Sequence, residues 1–218
     1  MKNRKLWLAT FAAFVFCLLS APSNALACAC CSESGAYRIS ASKPDSYQLE
    51  LLGKLRFADK AELYLTEAGE DGVKGLDKFF QNLPSQPSTI EPSFNLSGAF
   101  TNKAWKLNLK DAKGQSGTLR LPIPQTMVNF SADIHDGKES GGGGPLLYKE
   151  WRFKGNVASG TGVFQAGIIN PTTYFLVFQG RGNSCDNAED FKHWRVEING
   201  KKADYAFYGE MASGNRKD

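Results

Sequence analysis

The feature that most constrains the fold is an apolar residue at every second position, repeated in short segments from Tyr47 onward. Successive side chains of a strand point to opposite faces of a sheet, so this period predicts half-buried β-strands around a core. Lys149 is the one charged residue that interrupts the apolar set of its segment. The alternating segments are Tyr47 to Leu51, Leu55 to Phe57, Phe94 to Phe100, Trp105 to Leu109, Val128 to Ile134, Leu147 to Phe153, Trp194 to Ile198 and Ala203 to Phe207.

Turn-forming residues separate these segments, and Asn199-Gly200 is the clearest of them. This dipeptide lies between two alternating segments, and Asn-Gly favours the positive φ angles of a two-residue hairpin. We therefore predict a hairpin with Asn199 and Gly200 as its turn. One segment, Gly75 to Asn82, has helical spacing of Leu76, Phe79 and Phe80 and predicts a short helix that ends before Pro84.

The number and shortness of the strands predict an all-β fold. Roughly nine or ten strands without alternating helices favour a single antiparallel β-barrel or β-sandwich domain with one short helix. The pattern does not choose between these two architectures. A barrel removes exposed edges and can hold a ligand, whereas a sandwich has a solid core.

The amino terminus has the pattern of a secretory signal peptide. Lys2, Arg4 and Lys5 precede an apolar run from Leu6 to Leu19, and Ala25-x-Ala27 supplies a cleavage site. We expect residues 1–27 to be removed and the protein to be periplasmic or secreted. Residues 28–46 then form a cysteine-containing N-terminal segment, 47–211 the β-rich domain and 212–218 a polar tail. Alternatively, Cys28 is acylated and tethers the protein to a membrane.

Charge excludes one class of partner. The predicted leader holds three of the 26 basic residues and none of the 22 acidic ones, so the rest of the chain is nearly neutral. A nucleic-acid-binding face needs enough basic residues to neutralise several phosphates. We therefore expect no nucleic-acid partner, and a small molecule or a protein remains as the ligand class.

Cysteines supply the clearest candidate site. The exported chain keeps Cys28, Cys30, Cys31 and Cys185, and four cysteines in an oxidising compartment predict two disulfides. Adjacent Cα atoms are closer than a disulfide prefers, which disfavours a bridge from Cys30 to Cys31. The preferred pairing is Cys28 with Cys31 and Cys30 with Cys185, which would tether the N-terminus to a distant loop.

Metal binding is the alternative for the same four sulfur atoms. Cys28, Cys30, Cys31 and Cys185 could form a tetrahedral four-thiolate site for Cu(I), Zn²⁺ or an iron-sulfur cluster. The spacing of Cys28 and Cys31 also matches redox motifs, but no strand and helix follow to lower a thiol pKa. Cys185 lies in the glycine-rich stretch Gly180 to Asp186, for which a strand-ending bulge or turn is a simpler explanation than an anion site.

Histidines give a weaker catalytic candidate. Asp133 and His135 alternate on one face of a predicted strand and could bind a metal or act as an acid-base pair. If Ile134 points inward, however, both belong to an ordinary solvated stripe. His193 alternates with Trp194 in the same way, and we expect it to face solvent.

Three hypotheses follow. The first is an exported β-rich binding protein of unknown ligand whose four cysteines form disulfides, and it implies no covalent chemistry. The second is a metal-handling or redox protein that uses the four-thiolate site. The third is a small hydrolase or isomerase that uses Asp133 and His135. We favour a binding protein over an enzyme.

Overall fold

A computed structural model describes residues 36–64, 93–101, 103–134 and 146–212. One helix, one 3-10 turn at Ala188–Asp190 and eleven strands make up these ranges. In chain order the helix and strands are β1 (Tyr37–Ser42), α1 (Ser46–Lys54), β2 (Lys60–Tyr64), β3 (Ser93–Thr101), β4 (Ala104–Lys110), β5 (Ser116–Pro122), β6 (Met127–Asp133), β7 (Leu147–Asn156), β8 (Ser159–Gly162), β9 (Thr173–Gly182), β10 (Phe191–Gly200) and β11 (Ala203–Glu210).

All eleven strands form one antiparallel sheet. Their order is β1-β6-β7-β9-β10-β11-β2-β3-β4-β5-β8, and the two terminal strands, β1 and β8, do not pair with each other. The predicted antiparallel all-β fold is therefore confirmed, and the described strands form a single open sheet.

This sheet curls so strongly that its two halves share one core. Strands β4 and β7 are six places apart in the sheet order, which would separate them by about 29 Å in a flat sheet. The rings of Trp105 on β4 and Phe153 on β7 nevertheless lie 4.8 Å apart, centroid to centroid. The hydroxyl of Tyr174 on β9 also donates to the carbonyl of Pro122 at the end of β5. The concave side of the curl is called the core face below.

Most of the predicted apolar sets lie on the core face. Trp105, Phe153, Phe178 and Trp194 are each at most 1% exposed, and their neighbours from the alternating segments surround them. Trp105 contacts both Phe153 and Phe178 ring to ring. The alternation in β3, β4, β7, β10 and β11 was therefore predicted correctly because the apolar set of each strand lies on its core face.

The first alternating segment is wrong as a strand prediction. Residues from Tyr47 to Leu51 belong to α1, where the Asp45 side chain accepts from the Gln48 amide and the Gln48 side chain accepts from the Asp45 amide. This capping box starts a helix and outweighs a three-residue alternation. Leu51, Leu52 and Leu55 pack into the core from this helix and its C-cap.

The segment from Val128 to Ile134 forms a strand, but its apolar set faces away from the core. Directly paired residues of neighbouring strands point to the same side, and Asn129 pairs with the buried Trp151 while Phe130 pairs with Glu150. The even-numbered apolar residues of β6 are therefore on the convex face. Asn129 and Ser131, together with Asp133, lie on the core face instead.

The predicted hairpin is present, with its turn shifted by two residues. The pairing of β10 with β11 runs from His193 and Glu210 to Gly200 and Ala203, so Lys201 and Lys202 form the turn. A Cβ atom on Gly200 would lie 2.7 Å from the Thr172 hydroxyl. Close packing, rather than a turn conformation, accounts for a glycine at position 200.

Some predictions fall outside the described residues. The helix from Gly75 to Asn82 and the signal peptide are among them. Strand β1 begins at Tyr37, ahead of residue 47, where the alternation placed the start of the domain. Within the described ranges, no helix is long and apolar enough to cross a membrane.

Candidate functional site

A buried lysine on the core face is the centre of the first candidate site. Lys149 lies on β7 with its side chain only 4% exposed. Its ammonium group donates to the Cys185 carbonyl at 2.5 Å, to Asp190 Oδ2 at 2.9 Å and to Asp186 Oδ1 at 3.3 Å. Three N–H groups therefore meet three acceptors, which is the condition for a stable buried ammonium.

Asp190 forms an ion pair with Lys149, and opposing effects act on the pKa of its carboxyl group. Burial raises the pKa of Asp190 above its usual value, and the hydrogen bond and charge of Lys149 lower it without cancelling the rise. The Asn187 amide donates to the same carboxylate oxygen at 3.3 Å. The ion pair of Lys149 and Asp190 joins β7 to the segment that follows β9.

Glycines on β9 make room for this carboxylate. Gly180 pairs directly with Lys149. A Cβ on Gly180 would lie 1.8 Å from the Asp190 carbonyl oxygen, and one on Gly182 would lie 2.1 Å from Asp190 Oδ2. The Gly-x-Gly pattern is therefore explained by the close approach of Asp190, which occupies the space above both glycines.

The loop that carries Cys185 is fixed from two directions. The Cys185 carbonyl accepts a hydrogen bond from Lys149, and the Cys185 amide donates to the Asn183 side chain at 2.9 Å. The Tyr47 hydroxyl, from α1, donates to the Asp186 carbonyl at 2.8 Å. The Cys185 side chain is exposed and has no disulfide partner among the described residues.

Cys28, Cys30 and Cys31, the other predicted site residues, lie outside the described ranges. The pairing of Cys30 with Cys185 and the four-thiolate metal site both remain predictions. Within the described part of the chain, no three His, Cys, Asp or Glu side chains are grouped closely enough to hold a metal ion.

Asp133 is not part of a solvated stripe. It is 2% exposed, whereas Ile134 is 37% exposed, so the orientation assumed from the sequence is reversed. Asn129, on the same face of β6, has a buried side-chain oxygen with no donor among the described residues. His135 falls outside the described ranges, and its pairing with Asp133 stays a prediction. His193 is exposed and Trp194 is buried, as expected.

A second polar group lies on the convex face of the same strands. Glu150 is 9% exposed, and its carboxylate accepts three kinds of donor. The Tyr148 hydroxyl donates at 2.5 Å, the Gln179 amide at 2.9 Å and the Arg152 Nε at 2.5 Å. Charge-assisted bonds of this kind are the strong ones in proteins.

These contacts shift the titration of both acids in the group. Burial alone would raise the pKa of Glu150, but the bonds from Tyr148, Gln179 and Arg152 outweigh it and lower the pKa below its usual value. Burial, followed by the hydrogen bond to Glu150, raises the pKa of Tyr148 to about 12. Glu150 therefore stays ionised and Tyr148 stays protonated at neutral pH.

Aromatic side chains surround this group on the convex face. The Phe130 ring stacks on Tyr37 at 6.1 Å, meets Tyr148 at 6.2 Å and lies 4.7 Å from the Arg152 guanidinium carbon. Tyr37 is 67% exposed and Ile39 is 60% exposed. The convex side of β1, β6, β7 and β9 is called the aromatic face below; it carries Tyr37, Ile39, Val128, Phe130, Tyr148, Glu150, Arg152 and Gln179.

The sequence contains a signal for the first of these sites. Lys149 interrupts an apolar alternation, and a lysine at a core-facing position requires a buried counter-charge. Asp186 and Asp190 follow the next strand but one and supply it. Glu150 gave no such signal, because a charged residue on the convex face is ordinary in an antiparallel sheet.

Comparison with known proteins gives no match: no family model, no curated protein and no solved structure matches the chain.

Proposed function

We propose that the protein is an exported binding protein whose ligand contacts the aromatic face. The observation that carries the proposal is the outward orientation of Tyr37, Ile39 and Phe130. The first two are more exposed than buried, and Phe130 lies between Tyr37 and Arg152. Exposed apolar groups with a polar surround are typical of binding surfaces on soluble proteins. A flat, partly apolar ligand with a negative group fits these side chains.

Binding without covalent chemistry is supported by the state of the charged groups. The Lys149 ammonium has three acceptors, and the Glu150 carboxylate has three donors from its own chain. Groups engaged in this way are held in place by the fold. Their geometry favours positioning of strands and of the loop at Cys185 over proton transfer to a substrate.

The proposal includes export and a cysteine tether. Residues 1–27 act as the leader, Cys28 pairs with Cys31, and Cys30 pairs with Cys185. The exposed Cys185 side chain on an anchored loop supports this, because a fixed loop keeps the sulfur available on the surface. The finer architecture that we propose is sandwich-like, since rings from β4 and β7 meet across the core.

A titration with 8-anilinonaphthalene-1-sulfonate tests the binding face. This probe is flat, apolar and anionic, so we expect saturable fluorescence enhancement with the folded protein. Tyr37→Ser should weaken the binding about tenfold, because it removes an exposed ring that stacks on Phe130. Ser97→Ala, on the convex side of β3, is the matched control and should bind normally. Equal binding by both variants would exclude the aromatic face.

Intact mass of the exported protein, with a count of free thiols, tests the leader and the tether. We expect a chain that begins at Cys28, no acyl group and no free thiol. Cys185→Ser should then expose one thiol, that of Cys30. Four reactive thiols with bound copper, zinc or iron would instead support the metal site, and an acylated Cys28 would support a membrane tether.

A further inference from the structure

The open edge of strand β1 is the least protected part of the described sheet. It pairs with β6 on one side only, and all six of its residues are exposed. An edge strand offers a row of free N–H and C=O groups to any second strand, and proteins usually blunt it with lysine, proline or a bulge. The β1 sequence, Tyr-Arg-Ile-Ser-Ala-Ser, contains none of these residues, and its register with β6 is continuous.

The other edge of the sheet is different. Strand β8 has four residues, and Gly162 at its end has a φ of +58°. A Cβ at that position would lie 2.1 Å from the Ser116 carbonyl oxygen, so the backbone turns tightly there. Short and irregular edges of this kind resist further pairing. Strand β1 is therefore the edge suited to accept another strand.

The hydrogen-bond pattern identifies which groups of β1 are free to pair. The Asp133 amide donates to the Ala36 carbonyl at 2.9 Å. In an antiparallel pair, hydrogen-bonded and non-hydrogen-bonded positions alternate. Arg38 and Ser40 therefore bond to β6, whereas Tyr37, Ile39 and Ala41 direct their N–H and C=O groups toward the open edge.

We infer that the partner of this edge is a second copy of the chain, paired antiparallel about Ile39. Tyr37 then lies opposite Ala41 of the partner subunit, and Ile39 lies opposite Ile39 of the partner subunit. These positions are the ones with free backbone groups, so the pairing forms about six hydrogen bonds. A two-fold axis perpendicular to the sheet relates the copies, as in most homodimers.

Charge and apolar surface both support self-pairing. Arg38 is the one charged residue of β1, and it lies opposite Ser40 of the partner subunit, so like charges do not meet. The axis keeps the two aromatic faces on the same side. The exposed side chains of Tyr37 and Ile39 from both copies thereby form one continuous apolar strip. The contact is small by the standard of stable dimers, so it is reversible and depends on concentration.

Sedimentation equilibrium of the full exported protein over a wide concentration range tests this inference. We expect the mass to rise from the monomer to twice that value. Ile39→Pro removes an N–H that faces the open edge and no bond to β6, a position where proline is tolerated. Ile39→Lys keeps the backbone and places two like charges opposite each other. Each variant should raise the dissociation constant about 100-fold.

Ser159→Lys on the β8 edge is the matched control and should leave the dimer intact. Near-ultraviolet circular dichroism shows whether each variant is folded. If Ile39→Pro does not fold, Ile39→Lys alone tests the dimer. A wild-type chain that stays monomeric, or a dimer that persists in the folded Ile39 variants, would overturn the inference. Dimerisation through β1 is independent of ligand binding on the aromatic face. A monomeric protein that still binds the probe would contradict dimerisation alone.

Discussion

Two halves of one sheet differ in the side chains that they bury and expose. In strands β3, β4, β5 and β8 the convex side is polar and partly basic, and it is called the lysine face here. The lysine face carries Asn95, Ser97, Lys106, Asn108, Lys110, Thr118, Arg120 and Thr161. Leu107 and Leu119 beneath it are fully buried. This is the ordinary arrangement of an antiparallel sheet with one solvated side.

On the aromatic face the arrangement is inverted around β6. Phe130 lies outside, while Asn129, Ser131 and Asp133 lie on the core side together with Lys149. Such an inversion costs desolvation energy unless each buried charge has partners. The half of the sheet that carries the lysine face therefore requires only hydrophobic burial, whereas the half that carries the aromatic face also depends on a few specific ion pairs. Four substitutions probe this dependence.

The largest effect is expected for Lys149→Met. Loss of the ammonium leaves Asp190 and Asp186 beside a buried position with no cation, and breaking a buried pair from one side costs about 3 kcal/mol or more. Urea denaturation should show this loss in the free energy of unfolding. Lys106→Met on the lysine face should change it by less than about 0.5 kcal/mol. Similar values for both would mean that Lys149 is not a structural cation.

Gly180→Ala should follow in size. The new Cβ would lie 1.8 Å from the Asp190 carbonyl oxygen, which is backbone and cannot move aside. Overpacking of this kind costs about 3 kcal/mol. Gly53→Ala, in α1, meets nothing within 4 Å and should stabilise the protein by up to about 1 kcal/mol. Thermal melting of the two variants should therefore shift in opposite directions, and a common direction would contradict the packing argument.

Glu150→Gln should cost about 2 kcal/mol at pH 7, since it weakens charge-assisted hydrogen bonds. The pKa of Glu150 is lowered by folding from its ordinary 4.5. Its contribution is therefore present above about pH 4.5 and is lost as the pH falls through the folded value. The difference between wild type and variant should shrink in acid. Unfolding curves at several pH values measure it, and a constant difference would exclude an ionised Glu150.

Among the four substitutions, the smallest effect is expected for Phe130→Thr, which converts the centre of the aromatic face to the composition of the lysine face. Phe130 is half-buried, so the loss of its contacts with Tyr37 and Tyr148 should cost about 1 kcal/mol. Thr118→Val on the lysine face removes a hydrogen bond to Asn108 and should cost about 0.5 kcal/mol. A larger loss of stability for Thr118→Val than for Phe130→Thr would contradict the difference between the two faces.

Alternation predicted β3, β4, β6, β7, β10 and β11, whereas β2 and β5 were not predicted although each buries alternate side chains. In β4 and β10 the apolar set, the strand and the core face all agree, because period-two burial is a local property. The prediction failed at Tyr47 to Leu51, where Asp45 and Gln48 form a capping box. In β6 the strand was predicted correctly, but its regular apolar set faces outward. A periodic pattern identifies a strand without stating which of its faces meets the core.

The candidate site shows the same division. Lys149 could be recognised as anomalous from the alternation alone, but its partners Asp186 and Asp190 are 37 and 41 positions away in the chain. They reach it because β7 and β9 are neighbours in the sheet and Gly180 leaves space above them. Sequence spacing carries no information about such a contact.

Antiparallel strands, most of their positions and the hairpin of β10 and β11 can be predicted from the amino-acid sequence. These features depend on local alternation and on turn residues. Three further features are visible only in the folded protein: the sheet curls until β4 meets β7, β6 turns its polar side inward, and Lys149 anchors the Cys185 loop. Each of these depends on which distant strands become neighbours, and burial of the whole apolar surface, rather than any single segment, selects those neighbours.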